Sequence, residues 1–368
     1  MRLCRLGQKT AKQSCPIKHE TCRFGHSTAP RHVRSNFAVA MRATAFRRPA
    51  AHIDSVGYFM QTGDTTDEHA GVGAQAGADA SGASASPAGI PPPAVDPLDD
   101  FPVREFTFDG LCKRVLVSGH GPAVIVLPEM PGIAPEVARF ARWVRAAGFT
   151  VYLPSLFGRD GATASAAEAV QIFRKTCVSM EFHALAGRGE RPITRWLRAL
   201  ARQALAECAG PGVGAVGMCF TGNFALSMVL EPAVIAPVLA QPSLPLEAPS
   251  EIDLLPDEAA QVRARLERDD LAVLAYRFEG DAHCPAARFA AYRRALGERF
   301  DGRTLPDSAA NPAPPPFFRE VVRVPHSVLT AHLVDAEGEP TRAARDEVLR
   351  FLQHRLHGDR PFSPESIL

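Results

Sequence analysis

From Phe106 onward, short β-branched and aliphatic runs alternate with stretches whose apolar residues recur every three to four positions. That alternation predicts a sheet with helices packed on it. Ala123-Val-Ile-Val-Leu127 is apolar throughout, as a strand covered on both faces requires. Val137, Phe140, Ala141 and Val144 then follow at helical spacing, with Gly148 placed to stop the helix and Phe149–Leu153 reading as the next strand. Ile193, Trp196, Leu197, Leu200, Ala204, Leu205 and Cys208 form one face of an amphipathic helix, which assigns Cys208 to the core. Gly210-Pro-Gly212 ends that helix and Val213–Val216 supplies a strand. Further strands are predicted at Val234–Leu239, Leu271–Tyr276 and Val321–Val324. Helices are predicted after Phe220, around Ala259–Leu266, around Pro285–Leu296 and from Arg342 to His354. The Pro-rich stretch Leu305–Phe317 reads as a surface excursion before the last strand. The pattern predicts one α/β domain over residues 101–368, a mostly parallel, doubly wound sheet with helices on both faces.

Residues 1–100 carry no such periodicity. Residues 1–53 are rich in Arg and Lys, with Glu20 the sole acid. This start reads either as an organelle transit peptide or, the favoured reading, as an extension upstream of a true start at Met41 or Met60. Cys15, His19, Cys22 and His26 match no zinc-binding spacing, so no metal is expected. From Gly63 to Pro97, Gly, Ala, Ser, Asp and Pro dominate, as in Ser81-Gly-Ala-Ser-Ala-Ser-Pro87. Such a stretch buries too little apolar surface to offset its ordering entropy and is expected to be a linker.

Composition removes several classes of function. With 46% apolar and 22% charged residues and a formal net charge of +1, nothing argues for nucleic acid or an anionic membrane. No apolar run reaches the ~20 residues of a membrane span. Eight cysteines at unrepeated spacings, with no secretory signal, point to reduced thiols and a cytoplasmic protein. A monomer or weak homo-oligomer is expected, acting on a small molecule.

Candidate chemistry begins at Gly217-Met-Cys-Phe-Thr-Gly222, between a predicted strand and an apolar helix. A nucleophile elbow needs small residues on either side of the nucleophile, because the turn brings backbone against backbone. A helix N-terminus there favours a thiolate and offers N–H groups to an oxyanion. The fragment alone fits equally a small core residue in a tight strand–helix joint. Downstream, Asp281 lies in the loop after the predicted strand Leu271–Tyr276, and His326 in the loop after Val321–Val324. Sites in open α/β sheets lie beyond such carboxyl ends, and nucleophile, acid and histidine occur in the order an α/β-hydrolase uses. His283 competes for the base role but stands too near Asp281 in sequence. His120 precedes a strand and reads as a surface residue.

With these residues in place, the chain resembles the dienelactone hydrolase family over most of Phe106–Leu356. The resemblance is carried by Val126-Leu-Pro-Glu-Met-Pro-Gly132, Leu153-Pro-Ser-Leu-Phe-Gly-Arg159, Gly217-Met-Cys-Phe-Thr-Gly222, Gly280-Asp-Ala-His-Cys-Pro285 and Pro325-His-Ser327. It implies an α/β-hydrolase of carboxymethylenebutenolidase type, cleaving an ester or lactone without cofactor. It further implies Cys219 as nucleophile, His326 as general base and acid, and Asp281 as the carboxylate orienting it. Glu129 matches a glutamate that in the family pairs with the resting thiol. Phe220 and Met130 match the backbone donors of the oxyanion hole, and Arg159 an arginine that binds a substrate carboxylate. Two departures stand out: Thr221 replaces a family glycine, and Thr330 stands where a second substrate-binding arginine is expected. The insertions Lys175–Pro192 and Leu305–Phe317 are expected to reshape the entrance.

Overall fold

The computed structural model describes residues 95–179, 181–182 and 191–357. An antiparallel hairpin opens the sheet. Strand β1 (Val103–Phe108) turns at Asp109-Gly110 into β2 (Leu111–Gly119), and both turn residues have positive φ, 50° and 78°. Asp-Gly suits that turn because its twist matches that of the flanking strands. The alternating series follows with β3 (Ala123–Leu127), α1 (Pro135–Ala146), β4 (Thr150–Pro154), α2 (Ala166–Val178) and α3 (Pro192–Glu207). Then come β5 (Val213–Met218), α4 (Gly222–Met228), β6 (Val234–Ala240), α5 (Pro256–Arg268), β7 (Val273–Phe278), α6 (Ala286–Leu296), β8 (Phe300–Leu305) and α7 (Pro340–His357).

The eight strands lie in the order β1-β2-β4-β3-β5-β6-β7-β8, with β2 antiparallel to both of its neighbours and all later pairs parallel. This is the α/β-hydrolase fold. The fully apolar runs occupy its interior: β3, β5 and β7 are buried along their whole lengths, whereas the edge strand β1 is largely exposed. Val124, Val126, Val216 and Met218 face α1 and α7, packing with Phe140, Val144, Val348 and Leu352. Ile125, Leu127 and Ala215 face the other way, onto Trp196, Leu197 and Leu200 of α3. Leu239, Val273 and Ala275 continue with Val262 and Leu266 of α5 and Tyr292 of α6. Each fully buried Leu, Ile or Phe contributes about 1.5–3 kcal/mol, so this two-faced burial dominates the stability of the fold. Pro at the first turn of α1, α3 and α5 starts those helices, and Gly148 (φ 91°) follows the end of α1.

Two expectations need correction. Val321–Val324 is not a strand. Phe318–Val322 forms a short π-helical segment closed by Arg323 at φ 60°, and Phe318 and Val322 are both buried. Prolines upstream and Pro325 downstream leave this β-branched run no ladder to join. The last strand is instead Phe300-Asp-Gly-Arg-Thr-Leu305, a polar edge strand whose residues carry little strand preference. The domain also starts earlier than Phe101. Leu98 is buried, and Asp96 and Asp100 both grip Arg142 of α1, at 2.5 and 2.8 Å. The remainder of the expected extension, residues 1–94, lies outside the described residues, as do 180 and 183–190 of the first insertion. Among the described residues no helix is long and apolar enough to cross a membrane.

Candidate active site

The carboxyl ends of β3, β5, β6 and β7 converge on one set of side chains. At the end of β5 the chain turns so sharply that Cys219 adopts φ 53°, a conformation that costs a non-glycine residue free energy. Close packing explains the neighbouring glycines. A Cβ on Gly217 would lie 2.4 Å from the Thr221 carbonyl oxygen, and one on Gly222 would lie 2.8 Å from Pro242 Cβ. Thr221 itself has ordinary helical angles (φ −89°, ψ −5°), so its branched side chain fits without strain. Its hydroxyl accepts from the Met218 N–H at 2.9 Å and faces the carbonyls of Met218 and Leu127 at 3.0 and 3.2 Å. The family glycine is thus replaced by a residue that ties the elbow to β3.

Asp281 follows β7. Its Oδ1 accepts from the backbone N–H groups of His283 and Cys284 at 2.9 and 3.1 Å, and its Oδ2 lies 2.8 Å from His326 Nδ1. All three groups of this line, Asp281, His326 and Cys219, are at most 3% exposed. Burial would raise the Asp281 pKa, but the adjacent His326 outweighs it and holds the carboxyl below its usual range. Burial likewise opposes a charged His326. Asp281 and Cys219, to which His326 is hydrogen-bonded, reverse the balance and raise its pKa well above the ordinary histidine value. His283 stacks edge-on against His326 with 5.4 Å between ring centroids, and burial lowers its pKa to about 4.

The loop carrying His326 is fixed from behind. His332 Nδ1 accepts from the backbone N–H groups of His326 and Ser327 at 3.3 and 3.1 Å. An accepting Nδ1 requires neutral His332, and burial keeps its pKa down near 4. The loop after β6, residues 241–249, is held by Arg288 of α6, which is fully buried. Its guanidinium donates to the carbonyls of Pro242, Leu244, Pro245, Ala248 and Pro249. Arg288→Met should lower stability by about 3 kcal/mol by stranding these carbonyls. Thermal melting checks this: a fall of about 10 °C is expected, and an unchanged Tm would mean the loop needs no such anchor.

Residues 110–273 match the dienelactone hydrolase family. Over that span the chain is similar to members of that family. Solved structures similar to the chain include a dienelactone hydrolase-like promiscuous phosphotriesterase from metagenomic libraries (18% identity, 70% of this chain and 98% of the other, TM-score 0.47). Dienelactone hydrolase from Anabaena variabilis is 16% identical over 70% of this chain and 98% of its own, with a TM-score of 0.43. A search of curated proteins returns no match.

Measured against the family pattern, the structure brings Cys219, His326, Asp281 and Glu129 to one place but pairs them differently from expectation. Glu129 does not hold the thiol. Its Oε2 accepts from Gln241 Nε2 at 3.1 Å and Ser327 Oγ at 2.5 Å, and its Oε1 from Thr330 Oγ1. Burial raises the pKa of Glu129, although Ser327 and Thr330 counteract it. The physical reason for the difference is Thr330. It is fully buried where the family arginine is expected, and its hydroxyl draws the carboxylate toward the His326 loop.

Among the described residues, Arg159 is paired with an acid on the surface and not with a triad residue. Its side chain is 66% exposed and paired with Glu168 at 3.1 Å, lining a surface pocket with Phe157, Ile172, Lys175 and Phe182. Phe157 and Phe182, which line that pocket, also pack on Phe220 of the elbow, with ring centroids 5.8 and 6.1 Å from its own. Phe220 and Met130, the expected oxyanion donors, are fully buried at the carboxyl ends of β5 and β3. Ser243 and Gln241, which touch Cys219 and Glu129, were not foreseen. Their position just beyond the end of β6, beside the nucleophile strand, is the signal that points to them. Among the described residues no group of three or more His, Cys, Asp and Glu side chains is placed to hold a metal ion.

Proposed function

We propose that the chain hydrolyses a carboxylic ester or lactone by a Cys219–His326–Asp281 triad through an acyl-enzyme. The observation that supports this most is the buried line from Asp281 through His326 to Cys219, ending on a cysteine held at φ 53°. In this reading the thiolate attacks the carbonyl carbon, forming a C–S bond while the carbonyl electrons move to oxygen. The N–H groups of Phe220 and Met130 hold that oxyanion. Its collapse expels the alkoxide, which takes the proton from the His326 imidazolium. His326 then removes a proton from water as it attacks the thioester, and the thiolate leaves.

The substrate reading favours a neutral ester or lactone over an anionic dienelactone. Arg159 is exposed and engaged by Glu168, and Thr330 supplies no charge where a second arginine would stand. The test is mass spectrometry of the acylated protein, with an anionic dienelactone and neutral esters offered side by side. An acyl adduct on the Cys219 peptide is expected, with Arg159→Ala changing kcat/KM for neutral esters less than about twofold. An adduct on another residue would remove the nucleophile. A loss of about tenfold or more in Arg159→Ala, confined to the anionic lactone, would restore the dienelactone reading.

A further inference from the structure

The Cys219 thiol has a partner that neither the elbow nor the triad requires. Ser243 lies in the loop after β6, and its backbone N–H donates to the Cys219 carbonyl at 3.0 Å. Its hydroxyl oxygen lies 3.2 Å from Cys219 Sγ, 3.1 Å from the Gln241 carbonyl oxygen and 3.5 Å from His326 Nε2. The residue is only 2% exposed, so bulk water hardly competes for that hydroxyl. Arg288 fixes the surrounding loop through the carbonyls on both sides of Ser243, those of Pro242 and Leu244. The hydroxyl is therefore held in place and free only to rotate.

One hydroxyl proton and several acceptors make the direction of donation depend on where negative charge sits. A thiolate is a charged acceptor and outcompetes a neutral carbonyl, since hydrogen bonds to ionised groups are about twice as strong. A thioester sulfur carries no charge, and the Gln241 carbonyl then becomes the better acceptor. We propose that Ser243 is a further catalytic residue, donating to the Cys219 thiolate in the free enzyme and turning to the Gln241 carbonyl once the sulfur is acylated. This rests on the reading of Cys219 as nucleophile. No covalent bond to Ser243 forms or breaks; an O–H···S contact is exchanged for an O–H···O contact by rotation about Cβ–Oγ.

The arrangement also accounts for the withdrawal of Glu129. A carboxylate beside the sulfur would repel the thiolate, whereas a hydroxyl stabilises it without adding negative charge. With Glu129 occupied by Gln241, Ser327 and Thr330, Ser243 joins His326 as a hydrogen-bond partner of the sulfur.

The experiment is iodoacetamide labelling of the full chain as a function of pH, followed on the Cys219 peptide, beside steady-state kinetics with a neutral ester. Ser243→Ala should raise the labelling midpoint by about one pH unit and lower kcat about tenfold, with KM within about twofold. Ser243→Thr, which keeps the hydroxyl, should retain the wild-type midpoint; Ser243→Gly replaces the alanine variant if that variant does not fold. If wild-type Cys219 labels well below an ordinary thiol but Ser243→Ala leaves its midpoint unmoved, the role of Ser243 is overturned and the nucleophile stands. A Thr variant shifted as far as the Ala variant overturns it too, because packing rather than the hydroxyl would then matter. Wild-type Cys219 labelling only near pH ~8.5 would overturn the nucleophile reading itself, and Ser243 with it.

Discussion

Replacing Cys219 with alanine is expected to lower kcat for ester hydrolysis by about 10⁴-fold, with KM changed little. The size follows from what remains. On the proposed mechanism no acyl-enzyme can form without the sulfur, and His326 can at best activate water from a position arranged for proton exchange with a thiol. The proposed oxyanion donors would survive, so catalysis should fall to a residue above the uncatalysed rate rather than to nothing. Folding should survive as well. Alanine removes only the sulfur of a buried side chain, and relief of its hydrogen bonds leaves Ser243 the Gln241 carbonyl to donate to. Initial rates on a chromogenic neutral ester, with melting curves to establish folding, check this. A variant retaining more than about a tenth of the wild-type kcat would mean that the chemistry lies elsewhere.

Much of this was legible in the chain because the relevant physics is local. A strand buried on both faces must be apolar throughout, so Ala123–Leu127 and Val213–Val216 are readable without neighbours. Gly217 of the elbow is demanded by contacts with Thr221 and Gly222, a few residues on, and so announces the turn, whereas Gly222 makes room for the distant Pro242. What escaped is long-range. The edge strand Phe300–Leu305 owes its existence to pairing with β7 rather than to its own polar sequence, and Val321–Val324 has strand composition but no ladder to join. The hydrogen-bond partner of Glu129 was unreadable for the same reason. It depends on Thr330, Ser327 and Gln241, the first two about two hundred positions away and the third more than a hundred. The elbow was thus written largely in local geometry, while the wiring around it was written in contacts that only the closed sheet creates.

Asp281→Asn tests that wiring and should cost about 10³-fold in kcat. The carboxylate makes two demands at once. Its Oδ1 accepts two backbone N–H groups, and its Oδ2 takes the His326 Nδ1 proton. An asparagine that keeps its oxygen on the backbone donors must turn its NH₂ toward Nδ1. Imidazole Nδ1 then becomes an acceptor, the proton moves to Nε2, and the ring can no longer receive a proton from the thiol side. The same substitution changes how stability depends on pH, with a sign fixed by the two shifts. Asp281 is depressed in the fold, so its contribution is present above the ordinary aspartate pKa of about 3.9 and is lost as pH falls through the lower folded value. His326 is raised, so its contribution is full below about pH 6.5 and is lost as pH climbs through the higher folded value. Both belong to one buried pair, and removing the carboxylate removes both. Wild-type Tm should therefore exceed that of Asp281→Asn most between about pH 4 and 6.5, with the gap narrowing in acid and in alkali. Melting curves across that range, paired with kcat, decide the matter: an activity loss with a pH-independent Tm gap would show that Asp281 orients His326 without the two sharing a charge.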